Sequence, residues 1–311
     1  MRTVFLGNDP WSVPSLLAVA GSGHESALVA TRVPRPAGRG GRPRPTAVAR
    51  AAREAGLPLA EVETVKRGPG LDALREAGPE VLVVVAYGEI LPAEVLDLPT
   101  VAPVNVHFSL LPALRGANPV ARAILEGHNA TGATTMRMDQ GLDTGPILLQ
   151  VEEPIRDRDD AGTLGDRLAR LGGDLLVRTL DRLERGDVLE RPQDETLATV
   201  APRFRPEEEW IDWNDEADAV WRRVRALAPD PGARSRFRDR TLKVLRARPA
   251  EGRGEPGTVL EVSRSGPVVA AGEGAILLEE VVPEGRRWMP AADWARGARP
   301  EPGERLGGPE G

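Results

Sequence analysis

Short apolar runs alternate with amphipathic ones through the first half of the chain. Residues 3–6 and 26–33 read as strands, the first stopped by Gly7. Residues 46–55 carry a helical pattern, and Gly56 follows at the C′ position, where a left-handed residue commonly ends a helix. Residues 81–86, "VLVVVA", are apolar on both faces, as a central parallel strand is. Residues 104–106 and 133–138 are further strands. From 162 to 185, Leu164, Leu168, Leu171, Leu175, Leu176, Leu180 and Leu183 recur at helical spacing before Gly186. This alternation predicts a mainly parallel sheet wrapped by helices.

The rhythm changes after residue 190. Residues 191–206 turn polar and contain Pro192, Pro202 and Pro206, as a linker does. A helical run over 215–228 follows. Short strand candidates then come at 241–246, 257–262, 267–271 and 275–280, parted by glycine turns, which suits a small β-barrel. The expected fold class is α/β: a Rossmann-like, mainly parallel sheet domain over 1–190, a linker over 191–206, and a small OB-like β-barrel domain over 207–311. A chain of 311 residues is long enough for both.

Composition narrows the chemistry by exclusion. With no cysteine, disulfides, thiolate nucleophiles and thiolate metal sites are ruled out. The three histidines, His24, His107 and His128, stand far apart, so no metal is expected. The start, "MRTVFLGNDP", has too short an apolar run for a signal peptide and reads as a first strand. No apolar run reaches the roughly 18 residues of a membrane span, so a cytoplasmic protein with no membrane partner is expected. A formal net charge of −6 argues against bulk attraction to nucleic acid but leaves local basic patches open.

The chemistry concentrates in "VNVHFSLLPALRGANP", residues 104–119. Asn105 and His107 stand two apart on a strand and therefore share one face. They lie near its C-terminal end, where open α/β sheets bind ligands. In "MDQGLDTGPI", Asp143 sits between Gly141 and Gly145, in a loop able to bring a carboxylate to the imidazole. An amide and an imidazole can stabilise an oxyanion while a carboxylate receives protons, which suits acyl transfer. A structural histidine flanked by two capping residues is the plainer reading. A nucleophilic Ser109 is another, although the sharp Gly-x-Ser-x-Gly elbow is missing. Dinucleotide binding is weaker, because "GNDPWS" after the first strand is not Gly-x-Gly-x-x-Gly. His24 and His128, in turn-like contexts, read as surface or structural. Trp210, Trp213 and Trp221 read as core of the second domain.

"NVHFSLLP" together with "GLDTG" resembles the signature of the formyltransferase family that uses 10-formyltetrahydrofolate. The segments "VVVAYGEILP", "PALRGANP", "ATGATTMRMDQGLDTGPIL", "DETLATVAP", "LKVLRA" and "PAADWARGARPEPGERLG" extend the likeness along nearly the whole chain, towards the branch that acts on methionyl-tRNA. The resemblance implies that Asn105, His107 and Asp143 match the catalytic trio. It implies that Ser109, Leu110, Leu111 and Pro112 match the tetrahydrofolate-binding motif. It also implies that Val85, Ala86, Tyr87, Gly88, Ile90 and Leu91 line the pterin pocket, largely through their backbone. The expected cosubstrate is 10-formyltetrahydrofolate, and the expected acceptor is methionyl initiator tRNA, used by a monomer in translation initiation. A formyltransferase for amino sugar nucleotides and a non-catalytic tRNA-binding protein are the rivals.

Two basic stretches bear on the tRNA. "TRVPRPAGRGGRPRPTAVARAAR" carries Arg35, Arg39 and Arg42 among its seven arginines. The resemblance implies an insertion into the acceptor stem there, with Arg39 as its key arginine, although Pro34 stands where the family has Asp. Residues 222–248 hold Arg234, Arg236 and Arg238 among ten basic residues with only two acids, a pattern suited to phosphate contact. A solvated loop and a salt-bridged surface are the respective alternatives.

Overall fold

A computed structural model describes residues 1–36, 41 and 43–308. The chain divides into two units. Unit one gathers residues 1–119, 130–154 and 165–201, and unit two gathers 120–129, 155–164 and the chain from 202 on.

Unit one is built on a seven-stranded sheet of β1 (Arg2–Gly7), β2 (Glu25–Arg32), β3 (Leu59–Val62), β4 (Val81–Val85), β5 (Ala102–His107), β6 (Ala130–Arg137) and β7 (Ile147–Pro154), in the order β3-β2-β1-β4-β5-β6-β7. The first five strands run parallel. β6 and β7 are antiparallel additions at one edge. The Rossmann-like, mainly parallel sheet is thus present, and the strand order reverses between β1 and β4. Crevices form at such a reversal, outside the carboxyl ends of the strands. All five residues of β4 are buried, as its unbroken apolar run predicts. Edge strands β3 and β7 escaped the sequence reading because water reaches much of them and dilutes their apolar pattern.

Helices α1 (Val13–Ala20), α2 (Ala47–Glu54) and α3 (Gly68–Ala77) cross between the parallel strands. Thr46 caps α2, its Oγ1 accepting from the Ala49 amide at 2.9 Å. Helix α4 (Ala161–Arg185) carries the predicted leucine stripe, and Leu168, Leu175, Leu176 and Leu180 are buried. Its glycines set how closely it lies on the sheet. A Cβ at Gly172 would stand 2.8 Å from Val106 Cγ1 and 3.3 Å from the Phe108 ring. Helix and strand therefore meet directly behind His107.

The stretch expected as a linker divides. Residues 191–201 form a strap on unit one: Arg191 and Ile147 exchange backbone hydrogen bonds of 2.8 and 2.9 Å, and Ala201 donates to the Arg115 carbonyl at 2.6 Å. A strap held through its backbone needs few apolar side chains, so its composition looks like a linker's.

Unit two holds an antiparallel sheet of β8 (Ala233–Phe237), β9 (Arg240–Ala250), β10 (Val259–Ser263), β11 (Gly266–Ala270), β12 (Ala275–Pro283) and β13 (Leu306–Gly307), in the order β10-β11-β12-β9-β8-β13. An isolated bridge between Thr258 and Arg305 joins the two edges, so the sheet curls onto itself as a small OB-like barrel does. Irregular register at 244–247 in β9 supplies the bend. Helices α5 (Ala217–Leu227) and α6 (Ala291–Ala298) contribute Val220, Val224, Leu227 and Trp294 to its core. Trp213 joins that core and Trp221 packs against it. Among the described residues no helix is long and apolar enough to cross a membrane.

Candidate active site

Strand β5 delivers the first two groups. Asn105 and His107 lie two apart on it, and the register pairs Asn105 with Val84 of β4 on one side and Met136 of β6 on the other. His107 is 6% exposed, and its Nε2 lies 2.9 Å from the Leu114 carbonyl oxygen. A carbonyl only accepts, so Nε2 is the donor, and in the neutral form of the ring the lone pair is on Nδ1. That Nδ1 lies 3.6 Å from Asp143 Oδ2.

Asp143 arrives from the β6–β7 loop with φ +54, a left-handed conformation that Asp tolerates better than most side chains. Glycine at 145 is obligatory, because a Cβ there would stand 1.9 Å from the Arg137 carbonyl oxygen. Asp143 Oδ2 accepts the Gly116 amide at 2.8 Å, and the Asn105 amide leans towards Oδ1 at 3.4 Å. The three expected groups therefore converge, with Leu114 and Gly116 as backbone partners.

The "SLLP" turn is bolted to β6. Thr134 Oγ1 donates to the Ser109 carbonyl at 2.6 Å and accepts the Leu111 amide at 3.2 Å. Gln150 adds a hydrogen bond to the Leu111 carbonyl at 2.8 Å. Ser109 is fully buried and its hydroxyl donates to the Ala113 carbonyl at 2.6 Å. A hydroxyl with its proton committed to a backbone carbonyl and no path to solvent is no nucleophile, so Ser109 shapes the turn. Leu111 is buried, and the Leu111–Pro112 peptide is cis.

Residues 85–91 leave the end of β4 at the reversal of strand order. They alternate: Val85, Tyr87 and Leu91 are buried, while Ala86, Gly88 and Ile90 face outward, Ile90 at 78% exposure. Ala86 (φ +43) and Gly88 (φ +79) both have left-handed backbone, which breaks the strand geometry there. Residues 86, 88 and 90 thus form an exposed edge that carries one large apolar side chain, Ile90. Asn8, at the end of β1, holds this segment by donating to the Tyr87 carbonyl, while its Oδ1 accepts from Thr31 and from the Arg32 amide, each at 2.9 Å.

The basic residues are dispersed. Arg35 is exposed on a two-stranded ribbon (Arg35–Pro36 with Pro43–Arg44) and stands opposite Arg44. Arg39 and Arg42 lie outside the described residues. Within 222–248, Arg234 pairs with Glu209 at 2.9 Å and Arg238 with Glu304 at 3.0 Å. Arg246 and Arg248 meet Glu280 and Glu279. Arg236 lies half-buried on β8 between them. His24 is buried and bonded to Asp181 at 3.1 Å, and His128 is exposed.

Sequence reasoning missed Asn8, Leu114, Gly116 and Thr134. For Asn8 a signal existed: an amide directly after the first strand of a parallel sheet. Leu114 and Gly116 act through backbone atoms and carry no side-chain signal.

Residues 1–180 match the family described as Formyl transferase, and residues 203–299 match Formyl transferase, C-terminal domain. A methionyl-tRNA formyltransferase of Thermus thermophilus is 47% identical over 307 residues, covering 99% of each chain. Among solved structures, HypX from Aquifex aeolicus in complex with tetrahydrofolic acid aligns with a TM-score of 0.66 at 20% identity, over 95% of this chain and 47% of HypX. A methionyl-tRNA formyltransferase from Clostridium thermocellum aligns with a TM-score of 0.56 at 16% identity, over 79% of this chain and 92% of that one. At such identities the structural likeness speaks for the fold.

Proposed function

This chain belongs to the formyltransferase family, and on that premise we propose that it transfers a formyl group from 10-formyltetrahydrofolate to the α-amino group of methionyl initiator tRNA, supporting translation initiation. The observation that carries the reading is the convergence of Asn105, His107 and Asp143 at a strand end beside an outward-facing, backbone-rich edge. The reaction takes place in the cytoplasm, and one chain supplies every residue assigned to it.

The chemistry follows from the donors present. The amine nitrogen forms a bond to the formyl carbon, and the bond from that carbon to folate N10 breaks. An α-amino group with a pKa near 7.7–8 is roughly 10–20% neutral at pH 7, so the nucleophile needs modest help. His107 Nδ1, with its lone pair free, takes the proton the amine loses and returns it to N10. Asp143 lies against the imidazolium that forms, and the Leu114 carbonyl holds its other N–H. One N–H of Asn105 leans on Asp143, which leaves the second for the developing oxyanion. The "SLLP" turn and residues 85–91 hold the formyl carrier. Most of the acceleration then comes from positioning and oxyanion stabilisation.

Labelled formyl transfer to methionyl initiator tRNA, with an amino sugar nucleotide as the competing acceptor, tests the reading. Transfer to the tRNA alone is expected. In the same assay His107→Ala should lower kcat by about 10²–10⁴ while leaving both KM values near wild type. A variant with near-wild-type kcat would remove the histidine from the mechanism.

A further inference from the structure

Asp143 sits at long range from the groups it serves, 3.4 Å from Asn105 and 3.6 Å from His107. Its backbone is left-handed, a conformation open to Asp but less populated than the extended or right-handed ones. Besides the Gly116 amide on its carboxylate and the Asp139 contacts within the turn, a further grip on the turn comes from the strap. Gln193 Nε2 lies 2.7 Å from the Asp143 carbonyl oxygen and 2.7 Å from that of Gly145. The two hydrogens of one amide thus serve two carbonyls, one on each side of the turn's tip. The Gln193 Oε1 accepts from Arg115 Nε at 3.0 Å and Nη2 at 2.8 Å. The same guanidinium, 6% exposed, makes a bidentate pair with Glu195 at 2.8 and 2.9 Å.

Arg115 also sits between the two backbone groups that touch the trio. Leu114 O holds His107, and Gly116 N holds the Asp143 carboxylate. The strap fixes this stretch a second time, through Thr199, whose Oγ1 accepts the Leu114 amide and whose carbonyl accepts the Arg115 amide, both at 2.8 Å. One cluster thereby controls both the imidazole and the carboxylate.

We propose that Gln193 is a positioning residue for formyl transfer, setting the Asp143 turn in register with His107 and Asn105 while Arg115 and Glu195 orient its amide. The proposal rests on the reading that Asp143 takes part in the reaction. Only an amide fits the role. A carboxylate would satisfy Arg115 but could not donate to the carbonyls, and an apolar side chain would serve neither. Displacing a reacting group by about 1 Å can cost on the order of 10²-fold in rate.

The test is a double-mutant cycle on the full chain with Gln193→Glu, Asp143→Ala and their combination, with Gln193→Met as a volume-preserving check should the charge change disturb folding. Each is read by kcat, by both KM values and by Tm. Gln193→Glu and Gln193→Met should each lower kcat about 10–100-fold with both KM values within about twofold of wild type. The double variant should be no slower than Asp143→Ala alone, because the clamp has nothing left to position. Multiplicative losses in the double variant would show that Gln193 acts independently of Asp143 and would overturn the proposal. So would near-wild-type kcat in folded Gln193→Met. Near-wild-type kcat in Asp143→Ala would instead sink the catalytic reading of the carboxylate, and the clamp's role with it.

Discussion

Tyr87 is the chain's single tyrosine and is 2% exposed, in the core beneath the exposed residues 86, 88 and 90. Burial, reinforced by the charge of Glu89, pushes its phenol up to about 12. The folded value lies above the ordinary 10.0, so folding favours the neutral phenol. That contribution is whole below about pH 10 and is lost as pH rises through 12. Because no second tyrosine interferes, absorbance near 295 nm should report tyrosinate only near pH 12 in the native chain and near 10 in denaturant. A native midpoint at 10 would mean that the phenol reaches water. Residues like this one divide what could be read in advance from what could not. Asn105 and His107 were legible because side chains on a strand repeat every two residues, and Asp143 because two glycines flank it. Leu114 was not, since a leucine at φ +61 offering its carbonyl to a histidine leaves no mark in the letters.

At the scale of elements, α4 shows the same division. Its leucine stripe foretold the helix and the buried face, but nothing in the spacing said how close it would come. Gly165 answers that: a Cβ there would lie 2.0 Å from Trp11 Cζ2, and Trp11 Nε1 is tied to Asp166 at 3.0 Å. Two effects compete in Gly165→Ala. Helix propensity would favour alanine by about 1 kcal/mol. Overpacking against that ring costs about 1–3 kcal/mol, occasionally more. The clash should win, and Tm should fall by a few degrees, at roughly 2–4 °C per kcal/mol for a unit of this size. A raised Tm would show that the Trp11 ring moves freely. Edge strands β3 and β7 were lost for the converse reason, since partial exposure blurs the apolar pattern.

Across the whole molecule, the charge pattern means something different in the fold than in the sequence. The basic run at 222–248 reads as a phosphate surface, yet Arg234, Arg238, Arg246 and Arg248 each face a carboxylate supplied from a distant part of the chain. A list of letters does not show those partners. Arg35, by contrast, stands opposite Arg44, and like charges across a ribbon invite an anion between them. Binding of methionyl initiator tRNA, followed against log salt, should therefore lose about 0.9 from its slope in Arg35→Ala, taking the B-DNA coefficient. Arg238→Ala should change the slope less and lower Tm, because it breaks a bidentate pair with Glu304. Equal slopes for Arg35→Ala and wild type would place the tRNA contact away from the ribbon.

The strap over 191–201 has a consequence in time. A ribosome making this chain finishes Asp143 50 residues before it reaches Gln193. Until the strap emerges, the nascent chain owns the amide, the imidazole and the carboxylate but not the clamp that arranges them. Such a chain lacks the two amide hydrogen bonds that would set the Asp143 turn in register with His107. A fragment that stops at residue 180, the last of the first family match, therefore lacks every contact that residues 191–201 make with Arg115 and the Asp143 turn, and those contacts can form only once the strap has been made.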